Sequence, residues 1–219
     1  MRFSKMFINA WEGKGAYSMN QRPMFLVALL TGFLLFGCRT TAKEMKTRAH
    51  SSTKAIFTEV KEAGTIPKGF AELTIKTNVK THTEGYYILE SKESQHGKQK
   101  YPFLVNISGE AARWEVDGIK DSKPAYDADG KTSRDPEAGE GCKYVLEKKI
   151  RLKEGSHRVF FGLPEDAYST EVEMSLKEGE MSTLEFRPIY RTKNIPARIP
   201  TFMNGIDTYE VFLNEKQIL

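Results

Sequence analysis

In AELTIKTNV, residues 71–79, Ala71, Leu73, Ile75 and Val79 fall on one side of an extended backbone, and Glu72, Thr74, Lys76 and Asn78 on the other. Side chains of a strand alternate faces, so the pattern predicts a strand with one face in a core. It recurs in GYYILE (85–90), YPFLVNI (101–107), ARWEV (112–116), KYVLEKKIRL (143–152), SHRVFFG (156–162), YSTEVEMSL (168–176), MSTLEFRPIY (181–190) and YEVFL (209–213). No segment after residue 70 carries convincing helical periodicity. Short strands at this spacing predict an all-β body over 70–219, an antiparallel β-sandwich of about 8–9 strands and Ig-like build.

Two segments, IRLKEGSHRVFF (150–161) and MSLKEGEMSTLEF (174–186), place LKEG between strands, 24 residues apart. Gly155 and Gly179 supply the positive φ of a tight turn, and two ordinary hairpins are expected.

Ahead of this body lies the only long apolar run, MFLVALLTGFLLFGCRT (24–40). From Met24 to Phe36 it holds 13 residues, broken only by Thr31 and Gly32. A helix spanning a bilayer needs roughly 20 apolar residues, whereas a signal-peptide apolar region needs roughly 7–15 after a small basic segment, here Arg22. A buried core helix fits poorly, since the run has no polar face. Leu35-Phe36-Gly37-Cys38 resembles the lipobox of bacterial lipoproteins, in which a small residue precedes an invariant Cys. The resemblance implies cleavage before Cys38, diacylation of its thiol and acylation of the new amino group. In the sorting rule of some Gram-negative lipoproteins an Asp after that Cys retains the protein at the inner membrane. Arg39 therefore implies the outer membrane, facing the periplasm. Met19 begins a leader of more conventional length than Met1 and is read as the true start; the alternative is an extended leader.

The expected organisation is a signal peptide over 1–37, a lipidated Cys38 with a polar tether over 38–69, and the β domain over 70–219 with a long loop at 117–141. As random coil the first ~25 tether residues would reach roughly 25–30 Å. Within the tether, TKAIFTEVKEAG reads equally as short helix or strand. Residues 1–38 carry Arg2, Lys5, Lys14 and Arg22 against Glu12; removing these from 33 bases and 29 acids leaves 29 against 28. A nearly neutral mature body has no broad field for phosphates, which argues against nucleic acid as a partner. Acylation would consume one of 2 cysteines, leaving Cys142 without an intramolecular partner and best read as a small buried hydrophobe.

WEVDGIKDSKP (114–124) followed by KKIRLKEGSHRVFF (148–161) resembles the PEGA-type domain, a small β-sandwich of bacterial surface and periplasmic proteins. That family has a strand ending in Val-Asp-Gly, a Pro soon after, then a strand, a Gly turn and a strand reading H-x-V-x-F. The match spans roughly 104–187. It departs by an insertion of about 20 residues between Pro124 and Tyr144, and Gly155 lacks the preceding Pro. The resemblance implies a surface or interaction module without catalytic residues.

Candidate sites are few. The stretch 117–141 is the longest without a strand pattern and is rich in acids, including Asp127, Asp129 and Asp135. A calcium EF-hand closes on a bidentate Glu at position twelve; counted from Asp127 that position is Ala138, so turn chemistry is expected instead. His50, His82, His96 and His157 show no metal-ligand spacing, and no metal or cofactor is expected; His157 reads as a packed strand residue. A zinc site would have to be assembled across the loops that carry His82 and His96. Arg187, Arg191, Lys193 and Arg198 form a run without acids, a candidate for binding anionic sugar, headgroup or partner, or a basic edge that blocks strand addition. SSTK (51–54) has S-x-x-K spacing but lies in the tether. No nucleophile, zincin or phosphate-loop pattern is credibly placed. A lipid-anchored, non-catalytic binding or structural module is expected, with an envelope protein or glycan as partner. The alternatives are an envelope hydrolase with an unrecognised carboxylate pair, or a carbohydrate binder stacking on Trp114, Tyr86 or Tyr87.

Overall fold

The computed structural model describes residues 55–61, 64–192 and 200–219. Its strands are β1 (Phe57–Glu59), β2 (Phe70–Thr81), β3 (Lys100–Ile107), β4 (Glu110–Lys123), β5 (Gly139–Lys153), β6 (Gly155–Leu163), β7 (Tyr168–Leu176), β8 (Met181–Tyr190), β9 (Ile206–Leu213) and β10 (Lys216–Gln217). Among the described residues there is no α-helix, only a 3-10 turn at Thr201–Asn204, and nothing helical long and apolar enough to cross a membrane. The body is all-β, as its alternation predicted. The apolar run 24–36, Cys38, His50 and SSTK lie outside the described residues, as do Lys193 and Arg198.

The strands form one sheet in the order β10-β9-β8-β2-β5-β4-β3-β6-β7, with β1 paired to β5 beside this path. β4 makes the sheet continuous. Its first part, Glu110 to Asp117, pairs with β3, and its second, Gly118 to Lys123, pairs with β5. Gly118 sits at the change of partner, where a Cβ would meet Cys142 Sγ at 2.5 Å and Tyr144 Cε1 at 2.7 Å. Only hydrogen fits there. The Gly118 N–H meanwhile donates to the Gln99 carbonyl at 2.8 Å. Beyond Tyr144 the flank of β5 is taken by β1, with Phe57 opposite Leu152.

The sheet curls into a half-barrel so that its two wings face each other. Phe161 of β6 stacks on Phe186 of β8 at 4.3 Å between ring centres, and Tyr168 of β7 lies 5.1 Å from Tyr209 of β9. The faces meeting there include Leu73, Ile75, Val105, Leu146, Val159 and Leu184, each at most 1% exposed. One pairing departs from the antiparallel sandwich expected: β2 and β8 run parallel, Glu72 opposite Met181 through Thr77 opposite Phe186. Parallel neighbours need a long crossover. Here β3 to β7 supply it.

Three further expectations are corrected. GYYILE is a string of turns, with Tyr86 N–H bonded to the Thr83 carbonyl and Glu90 N–H to that of Tyr87, both at 3.2 Å. The segment has no polar face, and Ile88 and Leu89 are each 98% exposed, so no core held it extended. Residues 117–141 are largely strand, because β4 runs on through Lys123 and β5 begins at Gly139; the strandless part is 124–138. Val-Asp-Gly therefore lies inside a strand and does not end one. Finally, neither LKEG is a hairpin. β5 does not pair with β6, nor β7 with β8, so both turns carry the chain from one wing to the other. Gly155 (φ 121°) and Gly179 (φ 73°) do provide the positive φ. Both turns rest on the start of β2: Glu154 N–H donates to the Gly69 carbonyl at 3.1 Å and Gly179 N–H to that of Phe70 at 2.8 Å.

Candidate functional site

The connection from β2 to β3 folds back on itself through successive turns, and Gly97 N–H closes it onto Thr81 Oγ1 at 3.0 Å. Three side chains of this connection meet as a result. His82, 5% exposed, points Nε2 at Glu90 Oε1 at 3.3 Å, and His96 Nδ1 lies 3.8 Å from the same oxygen. Among the described residues this is the only trio of metal-ligating groups whose donor atoms all come within 4.8 Å of one another.

Each member is held from behind. His82 Nδ1 lies 3.0 Å from the Thr83 carbonyl, which can only accept, so that nitrogen carries a proton while Nε2 is turned to Glu90. Glu90 Oε1 accepts from the Ser94 hydroxyl at 2.7 Å, and His96 N–H donates to Ser94 Oγ at 3.2 Å. On its far side His96 Nε2 faces Asp166 Oδ1, from the β6–β7 turn, at 3.5 Å. Asp166 in turn accepts from the phenol of Tyr101 on β3. The rings pack edge-on, with His82 4.8 Å from Tyr87 and 5.2 Å from His96.

Burial disfavours charge on His96, but the carboxylates of Asp166, Glu90 and Glu165 outweigh it and hold the imidazole above the ordinary histidine pKa. Burial, reinforced by Asp166, pushes Tyr101 well up and keeps it a donor. The cluster opens to a cavity of about 290 Å³ lined also by Phe202, Met203, Asn204 and Ile206. Asn204 Oδ1 is buried there without a hydrogen bond.

Apart from Tyr86 and Tyr87, whose rings pack on His82, the binding candidates singled out in the sequence lie elsewhere. Arg187 on β8 is bonded to Glu185 at 2.7 Å and covers the Phe212 ring at 4.0 Å, so it serves a local pair. Arg191 is exposed, with its backbone N–H on the Gly205 carbonyl. Asp127 Oδ1 accepts the N–H groups of Asp129 and Lys131 at 3.0 and 2.8 Å, and Asp135 accepts from Glu137 N–H and Lys123 Nζ, both at 2.8 Å. Asp129 is exposed, 4.0 Å from Lys131 Nζ. These acids build turns. Trp114 is buried with its indole N–H on Glu59 Oε1 at 2.6 Å, which removes it as a stacking platform. Tyr86 and Tyr87 are half exposed but stand at 87° to each other. His157 is buried in β6, and Cys142 is buried beside Gly118. A larger open groove, about 830 Å³, runs past Ser108, His157 and Arg158, but Arg158 is already paired with Glu173 at 3.0 Å and Glu171 at 3.3 Å.

Spacing rules missed His82, Glu90 and His96 because the ligands are separated by irregular turns. The signal available was two histidines and a carboxylate inside one connection between strands. Compared with protein-family models, with curated proteins and with solved structures, the chain matches none of them.

Proposed function

We propose that this chain is a lipid-anchored module of the cell envelope that binds rather than catalyses, tethered through Cys38 at the outer membrane and facing the periplasm. The observation that carries this function is the 13-residue apolar run Met24 to Phe36, too short to span a bilayer, running into Leu35-Phe36-Gly37-Cys38 and followed by a polar tether. Each buried methylene contributes about 0.8 kcal/mol, so three acyl chains would hold the body at the surface indefinitely. The β body would work in water, meeting an envelope protein or a glycan. Support for a docking role comes from Ile88 and Leu89, exposed next to Tyr86 and Tyr87 in consecutive turns, a kind of apolar patch that marks contact surfaces.

Kinship with PEGA-type sandwiches is proposed on the order strand, Gly155 turn, strand with His157, Val159 and Phe161, and on the two wings facing across Phe161 and Phe186. The partner change at Gly118 and the parallel β2–β8 pair are departures from it. An envelope hydrolase has one observation in its favour, two carboxylates, Glu90 and Asp166, on either side of the His96 ring. Loss of wall-polymer cleavage in Glu90→Gln would establish it; no cleavage by the wild-type protein would remove it.

The anchor is tested by metabolic labelling with a clickable fatty acid. The wild-type chain takes up label and partitions with membranes, and Cys38→Ala does neither. Labelling that persists in Cys38→Ala overturns the attachment.

A further inference from the structure

We propose that His82 Nε2, Glu90 Oε1 and His96 Nδ1 form a binding site for one divalent metal ion of the zinc class. The assignment is independent of the anchor. It starts from the clustering of three donor atoms within 4.8 Å of one another. With Nδ1 donating to the Thr83 carbonyl, His82 turns Nε2 toward a carboxylate oxygen only 3.3 Å away, a gap that a metal ion can take in place of a proton. His96 Nδ1 brings a third donor to the same oxygen at 3.8 Å. Ligands bound at 2.0–2.1 Å around a tetrahedral ion stand about 3.3–3.4 Å apart; His82 and Glu90 already have that spacing, and the whole trio, within 4.8 Å, needs only a small contraction of His96 onto the ion.

The groups behind the donors match what such sites require. Metal-binding imidazoles give their other nitrogen to a carbonyl or carboxylate, which fixes the ring and its tautomer. His82 has Thr83 in that place. His96 has Asp166, backed by the Tyr101 phenol, and its Nε2 makes no properly aligned hydrogen bond at 3.5 Å. Glu90 has the Ser94 hydroxyl. Glu90 and Asp166 together neutralise a dication without any further charged partner.

Two nitrogens and one oxygen select a borderline ion. Calcium takes six to eight oxygens and magnesium an octahedron of them, neither available here, whereas imidazole suits zinc, cobalt, nickel and copper. Three protein donors leave a fourth position facing the cavity lined by Met203 and Asn204, where water or a donor atom of a bound partner can enter.

The test uses the full chain, purified in detergent without a polyhistidine tag and stripped with a chelator. Zn²⁺ is titrated against a chromophoric competitor, and Co²⁺ is followed by visible absorption. We expect one equivalent bound, with the intense bands of a four-coordinate cobalt site. His82→Ala and His96→Ala should each weaken Zn²⁺ binding at least 100-fold, and Asp166→Asn by about 10–100-fold through loss of support to His96. His50→Ala and His157→Ala should bind like wild type. Zn²⁺ should raise the melting temperature of the wild-type chain and leave that of His96→Gln unmoved, a comparison read only where circular dichroism retains the strand signal. Absence of stoichiometric binding overturns the site, and so does binding that survives loss of both His82 and His96.

Discussion

Lys80 shows how a single side chain can be fixed by segments far apart in the chain. Its side chain is fully buried, and Nζ donates to Asp121 Oδ2 at 2.6 Å and to the Glu137 and Gly139 carbonyls at 2.8 Å each, 4.9 Å from the Phe202 ring centre. Lys80→Met should lower unfolding free energy by about 3–5 kcal/mol in denaturant titrations, since two buried carbonyls and a part-buried carboxylate lose their donor together. The hydrogen bond from Lys80 holds the Asp121 carboxyl below the usual aspartate range. A carboxyl depressed by folding adds stability above its unfolded pKa of about 3.9 and loses it as pH falls further. The wild-type chain should therefore weaken through that acid window more steeply than Lys80→Met, measured by melting temperature against pH. None of this was legible in AELTIKTNV and the residues after it. Alternation put Ala71, Leu73, Ile75 and Val79 in the core, and there they are, but Thr77, Lys80, Thr81 and His82 are buried too. Tyr190 and Phe202, more than a hundred residues away, cover that end of the strand, and periodicity in one segment carries no trace of them.

At the scale of elements, local pattern located strands well and their partners poorly. Eight of the nine alternating segments are strands. The ninth failed because exposed apolar residues alternate with other apolar residues, which no half-buried surface can accept. The turns were recognised for their glycines but misread in topology, because a positive φ is needed equally by a hairpin and by a corner between wings. Gly118 shows the opposite failure, a turn expected where a strand changes partner. Gly118→Ala should destabilise by about 1–3 kcal/mol, the usual range for overpacking, since its methyl would press on Cys142 and Tyr144. Chemical denaturation measures it, and Cys142→Ala in the same chain should recover part of the loss.

For the whole molecule, the curl matters more than any one ladder. Facing wings bring Phe161 against Phe186, so Phe186→Ala should cost about 3–5 kcal/mol by opening a cavity between them, a loss read in urea unfolding. The parallel β2–β8 contact joins strands with five others between them in the chain, a non-local pairing of the kind that slows folding. The ladder beside β5 carries a mechanical consequence. A pull arriving from residues before 55 first meets β1, three residues held to Leu152, Arg151 and Ile150, and only then β2, twelve residues flanked by β5 and β8. Stretching single molecules by the N-terminus should give a small early release as the short ladder peels, then one large rupture as the long strand yields in shear. The short strand would act as a slack-absorbing fuse, sparing the half-barrel from brief tugs.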